Sequence, residues 1–335
     1  MVSSKDTIAK TLRRLQVRNY EGRDFTPHHC LVECLDRDTV FGLLKEEQIV
    51  DFYDREELAN AILDNGLRLF AILVHIGKLP FLKKFLECDN FSAAHYDEKL
   101  PYSKPDLERI FEKDNAGAVK DFLATQWTHL PPALAKDRSC RTLDAQAVLP
   151  FEKVEKPSEG NCSTGGFGFI KIAHLYGPEK TPKSTRRKDD FSREVEILSM
   201  LRCPQYPHIT ELHTAFVQGE ALSLLMPVAD CDLGRVLNGK ALSVRGLTTR
   251  DEICAALWGL ASGLRAVHGY FAEAFDERRI GCHYDIKPPN ILCMDGKLLL
   301  SDFGLSRLRK EEEGSESAFQ HVGGAYMAPE CLGAD

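Results

Sequence analysis

His283-Tyr284-Asp285-Ile286-Lys287-Pro288-Pro289-Asn290 is the stretch on which the fold turns, because of what stands on either side of it. Two apolar runs follow, Ile291-Leu292-Cys293 and Leu298-Leu299-Leu300, and they flank Asp295-Gly296, a strong hairpin signal. Asp302-Phe303-Gly304 comes directly after the second run, and Ala328-Pro329-Glu330 closes the series. Upstream, Ile253, Leu257, Leu260, Ala261, Leu264 and Val267 recur at helical intervals and trace an amphipathic helix, while Leu222 to Val228 reads as a buried strand. Farther back, Phe191, Val195, Leu198 and Leu201 mark one helix face. Lys180 to Asp190 is a polar, basic segment expected to be a solvated loop. Gly165-Gly166-Phe167-Gly168 then reads as a glycine turn feeding the strand Phe169-Ile170-Lys171-Ile172. From Phe151 onward the pattern is a mixed α+β domain, with its strands concentrated early and its helices late.

A lone D-F-G triplet arises by chance. The ordered series H-x-D-x-K-x-x-N, hairpin, D-F-G and Y-x-A-P-E does not, and it resembles the catalytic loop, metal-binding motif and activation-segment end of protein kinases. The wider layout, with Asp232-Leu233 and a preceding helical region that ends in Leu149-Pro150-Phe151, resembles filamentous-fungal kinase-like proteins. The resemblance implies an α+β, bilobal kinase-like fold over 149–335, with a small lobe at about 149–229 and an incomplete large lobe at 230–335. An all-α domain at 1–148 precedes it.

Phosphoryl transfer needs a group that positions the attacking hydroxyl, cations that absorb phosphate charge and backbone that holds the nucleotide. By resemblance, Asp285 accepts or orients the substrate hydroxyl and Lys287 contacts the transferred phosphate, in the spacing of the Ser/Thr type. Asn290 and Asp302 would hold Mg2+, a hard cation suited to oxygen ligands. Met226 falls at the gatekeeper position, with Pro227-Val228-Ala229 as the hinge. Pro227 lacks an N–H but keeps its carbonyl, so adenine contacts through that carbonyl and the Ala229 N–H are retained. Leu292 would pack beneath the adenine, a position equally consistent with ordinary core. Gly165, Gly166 and Gly168, followed by Ile170, would cover the phosphates of ATP, because small side chains permit close backbone approach. Glu194 resembles the helix glutamate that pairs with a lysine, and Lys180, 194 − 180 = 14 positions earlier, is preferred over Lys183 for that role.

Several positions depart from the family pattern. Ser163 stands where the first glycine of the roof belongs, with Gly160 as a displaced candidate. Lys180 follows Gly177-Pro178-Glu179 in place of an apolar strand. Tyr284 replaces the arginine that would pair with a phosphorylated activation loop, so control of that kind, including at Ser315 or Ser317, is not expected. Gly323 occupies a position where Ser/Thr kinases usually carry threonine. Only Cys331 to Asp335 follow Glu330, which reads as truncation of the large lobe. The resemblance thus implies a protein Ser/Thr kinase using ATP and magnesium on an unidentified protein substrate. The alternative, favoured for this chain taken alone, is a pseudokinase or scaffold that binds a partner with weak or no catalysis.

The remaining sequence is less telling. A chain of 335 residues fits two domains at about 150 residues each. With 43 basic against 50 acidic residues and a net charge of −7, whole-chain electrostatics give no pull toward nucleic acid or anionic lipid. Met1 to Leu15 has no apolar core of the signal-peptide kind, and Leu67 to Ile76 falls short of the ~20 residues of a membrane helix, so it reads as a buried helix. An intracellular protein with no membrane partner is expected. Eleven cysteines without a C-x-x-C pair read as free thiols; His28, His29, Cys30 and Cys34 suggest thiols buried on a helix more than zinc ligands. Leu58, Ile62, Leu63, Leu69, Phe70, Leu73 and Val74 recur helically, as do Leu79, Leu82, Phe85 and Leu86. A further helical stretch runs from about Leu107 to Phe122, ended by Pro131-Pro132, and a loop-rich join leads to Leu149-Pro150. Packing or partner binding is the expected role of this part.

Overall fold

The computed structural model describes residues 4–49, 52–87, 96–112, 115–134, 136, 139–151, 162–165, 168–174, 182–201, 206–240, 244–272, 277–310 and 326. The chain divides into two compact units that exchange a segment: residues 1–133 and 144–154 form one, residues 134–143 and 155–335 the other. The single boundary expected at 148/149 is therefore an interleaved one.

The first unit is built on α1 (Ser4–Arg14), α2 (His28–Cys34), α3 (Arg37–Glu46), α4 (Phe52–Asn65), α5 (Leu67–His75), α6 (Leu82–Glu87), α7 (Lys104–Phe111) and α8 (Ala116–His129). It is mostly helical rather than all-α, because β1 (Val17–Arg18) and β2 (Asp24–Phe25) form a short antiparallel ladder. Central helix α5 buries Leu67 and every residue from Leu69 to Val74. Its start has no side-chain cap of its own; Asp97 supplies one, its carboxylate accepting the Arg68 and Leu69 N–H groups at 3.0 Å each. Phe85, Phe111 and Phe122 are fully buried and pack ring to ring with one another, and Phe85 and Phe122 also with Tyr102, each large apolar side chain contributing about 1.5–3 kcal/mol of burial. The stretch expected as one helix from Leu107 to Phe122 is two, α7 and α8, parted after Glu112, whose φ of 62° no helix accommodates. Pro105 opens α7 behind the Ser103 cap. Asn19 ties in the returning segment by donating to the Leu149 carbonyl at 3.2 Å. Among the described residues no single helix is long and apolar enough to cross a membrane.

A histidine pair sits inside this unit. His75 Nδ1 and His129 Nε2 lie 2.9 Å apart, and His129 is fully buried with its Nδ1 unpartnered. Burial, with Arg13 adding repulsion, lowers His75 from 6.5 to about 4; burial and then His75 lower His129 to about 3. The unfolded chain therefore binds more protons than the folded one below pH 6.5. Stability is full above that value and falls as acid is added, by at most about 1.4 kcal/mol per pH unit for each histidine. Denaturant unfolding of a Trp258→Phe chain, in which Trp127 of α8 reports, should steepen in its pH dependence between 6.5 and 4 relative to the same chain carrying His129→Leu. Identical slopes would contradict this.

The second unit opens on β3 (Cys140–Leu143), then β4 (Cys162–Gly165), β5 (Gly168–His174), α9 (Pro182–Met200), β6 (Thr214–Gln218) and β7 (Ala221–Met226). The join expected to be loop-rich contributes β3, which pairs in parallel with β6 at the edge of a five-stranded sheet of order β3-β6-β7-β5-β4. The region expected as a solvated loop up to Asp190 is helical from Pro182 onward. Proline is favoured at a first helical position, and the lysines and arginines behind it are good helix formers. Next come β8 (Cys231–Asp232), α10 (Leu233–Leu237), α11 (Arg250–His268), β9 (Tyr270–Ala272), β10 (Glu277–Cys282), β11 (Ile291–Met294), β12 (Lys297–Leu300) and β13 (Arg307–Lys310). The β11–β12 hairpin turns through Asp295 and Gly296, at φ 47° and 74°, as the sequence suggests.

Helix α11 begins with a full capping box, Thr249 and Glu252, whose backbone N–H contacts hold the Glu252 carboxyl down at about 2. Its buried face differs from the expected one. Ala256, Gly259, Gly263 and Val267 face inward with Leu260 and Leu264 partly covered, whereas Ile253 and Leu257 are exposed. The glycines are the reason: a Cβ on Gly259 would come within 2.0 Å of the His208 ring, and one on Gly263 within 2.8 Å of the His208 carbonyl. That close approach seats α11 against residue 208, whose carbonyl accepts the Leu300 N–H at 2.9 Å.

Candidate active site

Asp285 lies on the loop between β10 and β11, half-buried. Its Oδ2 accepts Lys287 Nζ at 2.7 Å and Asn290 Nδ2 at 2.8 Å, and Asn290 Nδ2 also reaches the Asp285 carbonyl at 3.0 Å. Asn290 is held from behind, its carbonyl accepting the Ser301 N–H at 3.0 Å and hydroxyl at 2.9 Å. The amide nitrogen is thus spent on Asp285, and among the described residues nothing donates to Asn290 Oδ1. A free carboxamide oxygen and the Asp302 carboxylate are the hard donors that suit magnesium.

His283 organises the loop. It is buried, its Nε2 lies 3.0 Å from the Ser301 carbonyl, and its Nδ1 receives the Asp285 N–H at 3.4 Å. That pattern requires the proton on Nε2. Burial lowers its pKa, against the opposing pull of the Ser301 carbonyl, Asp302 and Asp285, which keeps the ring neutral. The ring packs on Phe303 at 4.7 Å between centroids, and the Ser306 hydroxyl closes the arch on the His283 carbonyl at 3.0 Å. Tyr284 and Asp302 both hold positive φ, 62° and 64°, which turns the backbone sharply on each side of the arch.

Helix α9 joins the site from the other side. Phe303 is fully buried in one cluster with Phe191, Val195 and Leu198 of α9. Arg193 Nη1 reaches the Gly304 carbonyl at 2.9 Å and Asp190 Oδ1 at 3.0 Å, so the helix grips the turn after Asp302 directly. Glu194 is buried on the same helix. Met226 ends β7 inside the cluster, and Pro227, Ala229 and Leu292 share the wall of a cavity of roughly 310 Å3. Asp285, Asn290 and Asp302 are not among the residues that line it.

Gly165 of β4 pairs with Gly168 of β5, and Ile170 pairs with Ser163. Gly166 and Lys180 lie outside the described residues, as do Gly160, Ser315, Ser317, Gly323 and Ala328 to Glu330. Tyr326 is exposed. β5 pairs directly with β7, which sets Lys171 opposite Leu224 in register. Cys30 and Cys34 are half-buried rather than buried on α2, and no three or more His, Cys, Asp or Glu among the described residues gather as metal ligands.

Residues 175–335 match the protein kinase domain family. Over 187 residues the chain is 33% identical to a probable leucine-rich repeat receptor-like serine/threonine-protein kinase of Arabidopsis thaliana, covering 54% of this chain and 17% of the relative. It is 32% identical to calcium-dependent protein kinase 9 of Oryza sativa subsp. japonica over 152 residues, 44% of this chain and 23% of that one. With cyclin-dependent kinase D-1 of Arabidopsis thaliana it shares 30% over 141 residues, 42% and 31% of the two chains. The chain spans less than a third of the length of each of these relatives.

Proposed function

From a protein kinase domain over residues 175–335, we propose that the protein transfers the γ-phosphoryl group of ATP to a serine or threonine hydroxyl of a protein. The observation that carries the reading is the pair of contacts at Asp285, whose one carboxylate oxygen holds both Lys287 and Asn290 within 2.8 Å. Asp285 orients the substrate hydroxyl and takes its proton as the oxygen attacks the γ-phosphorus and ADP leaves. Lys287, already drawn to this carboxylate, offers its ammonium to the phosphoryl oxygens as negative charge builds. Asn290 and Asp302 would hold magnesium, which supplies positive charge against the phosphate oxygens when bound. Neutral His283 fixes the backbone that carries Asp285, and Arg193 fixes the turn that carries Asp302.

The nucleotide lies, in this reading, under the Gly165–Gly168 turn with adenine toward Pro227, Ala229 and Leu292. Lys171, which the strand register sets opposite Leu224, is the preferred lysine partner of Glu194, ahead of Lys180. Calorimetric titration with ATP and magnesium tests the site. Binding that requires the metal, weakens about tenfold or more in Lys171→Ala and is unchanged in Lys180→Ala supports it; no heat of binding with or without metal contradicts it. A partner-binding scaffold with weak or no catalysis is the second reading.

A further inference from the structure

Cys231 and Cys293 stand directly opposite each other where β8 pairs with β11. Each thiol is among the groups that shift the other's titration, in keeping with their places directly across the ladder. The Asp230 N–H donates to the Cys293 carbonyl at 2.9 Å and holds the strands together at this point. Opposite residues of an antiparallel ladder have Cβ atoms about 4.5–5.5 Å apart, and a disulfide spans about 3.5–4.5 Å. A small closure of the ladder is all that separates two thiols from one bond. No other pair of the free cysteines among the described residues is matched in strand register.

We propose that Cys231 and Cys293 form a reversible disulfide when the protein meets hydrogen peroxide, clasping the strand that follows residues 227–229 to the strand that follows the catalytic loop. The proposal rests on the ladder and is independent of phosphoryl transfer. Cys231, half-buried against the fully buried Cys293, reacts first. Its thiolate attacks a peroxide oxygen, giving a sulfenic acid and hydroxide, which takes up the proton the thiol released. The Cys293 sulfur then attacks the sulfenic sulfur, the S–S bond forms and water leaves. Two thiols lose two electrons and two protons, and one peroxide becomes two waters.

The surroundings set the rate. Burial pushes Cys293 up to about 12, with Cys231, Asp232 and Asp230 adding to it. Burial also raises Cys231, while the Cys293 hydrogen bond and Arg235 oppose the rise. Thiolate is therefore scarce at neutral pH, and the first step accelerates by up to about tenfold per pH unit toward the alkaline side. Once the sulfenic acid forms, the partner stands directly across the ladder, which favours the disulfide over further oxidation. The bond would close a loop of 293 − 231 + 1 = 63 residues containing α10, α11 and the catalytic loop. Closing a loop of that length restricts the unfolded chain and should raise its melting temperature by roughly 5 °C or more.

The whole chain is treated with hydrogen peroxide at pH 8, free thiols are alkylated, and peptides are mapped without reduction. The expected result is a peptide pair joined through Cys231 and Cys293, two hydrogens lighter than its parts and released by dithiothreitol. It should be absent in Cys231→Ser, at the half-buried position, where the fold is checked by circular dichroism. The melting temperature should rise on oxidation in the wild type and not in Cys231→Ser. Full alkylation of both thiols after treatment, linkage only among other cysteines, or a sulfinic acid at Cys231 in place of the bond would each overturn the proposal.

Discussion

Replacing Asp285 by asparagine is expected to lower the rate of phosphoryl transfer at least ~100-fold, the lower range for losing a positioned proton acceptor. Asparagine matches aspartate in size, and its remaining oxygen still accepts Asn290 Nδ2, so the loop keeps its form. What is lost is the proton acceptor and the carboxylate that holds Lys287 at 2.7 Å. The loss should fall on kcat, with the KM for ATP little changed, because Asp285 is not one of the two oxygen donors assigned to the metal. Melting curves of the two chains should coincide within a degree or so. Equal rates in the purified wild type and Asp285→Asn would move the activity to another site.

The second variant removes a metal donor. Asp302→Ala is expected to abolish the extra thermal stability that ATP gives in the presence of magnesium. A ligand at a hundredfold excess over its Kd stabilises a folded chain by about 2.7 kcal/mol, and a ligand that no longer binds contributes nothing. Positive φ at residue 302 complicates the choice of replacement, since alanine is strained there as aspartate is. Asp302→Asn, which keeps the side-chain volume and a neutral oxygen, should retain part of the shift. A joint ATP and magnesium shift that survives unchanged in both variants would show that Asp302 does not hold the metal.

The polar arch was the most legible part of the molecule because its chemistry is local. Asp285, Lys287 and Asn290 lie within six positions, and the hairpin at Asp295-Gly296 returns the chain to Asp302 over a distance the sequence itself fixes. The buried helix was equally readable in the apolar run from Leu69 to Val74, where every position is buried. Helix periodicity misled in α11, where Gly259 and Gly263 form the close-packed face and the larger Ile253 and Leu257 are exposed. Periodicity weighs side-chain size and does not register a backbone approach that needs its absence. Pairings across long separations were invisible. Cys140 to Leu143 becomes a strand only by pairing with residues 215–218, and Lys171 comes opposite Leu224 only through the register of β5 on β7. Arg193 was passed over because its partner, the Gly304 carbonyl, is backbone and leaves no mark in the sequence.

The deciding measurement is transfer of labelled γ-phosphate from ATP to a mixed serine- and threonine-containing protein substrate, read residue by residue by mass spectrometry. The purified wild-type chain should place phosphate on serine or threonine only when magnesium is present, and Asp285→Asn should leave at most about a hundredth of it. Wild type that binds ATP and magnesium yet transfers no phosphate would contradict catalysis and leave the scaffold as the function of the fold.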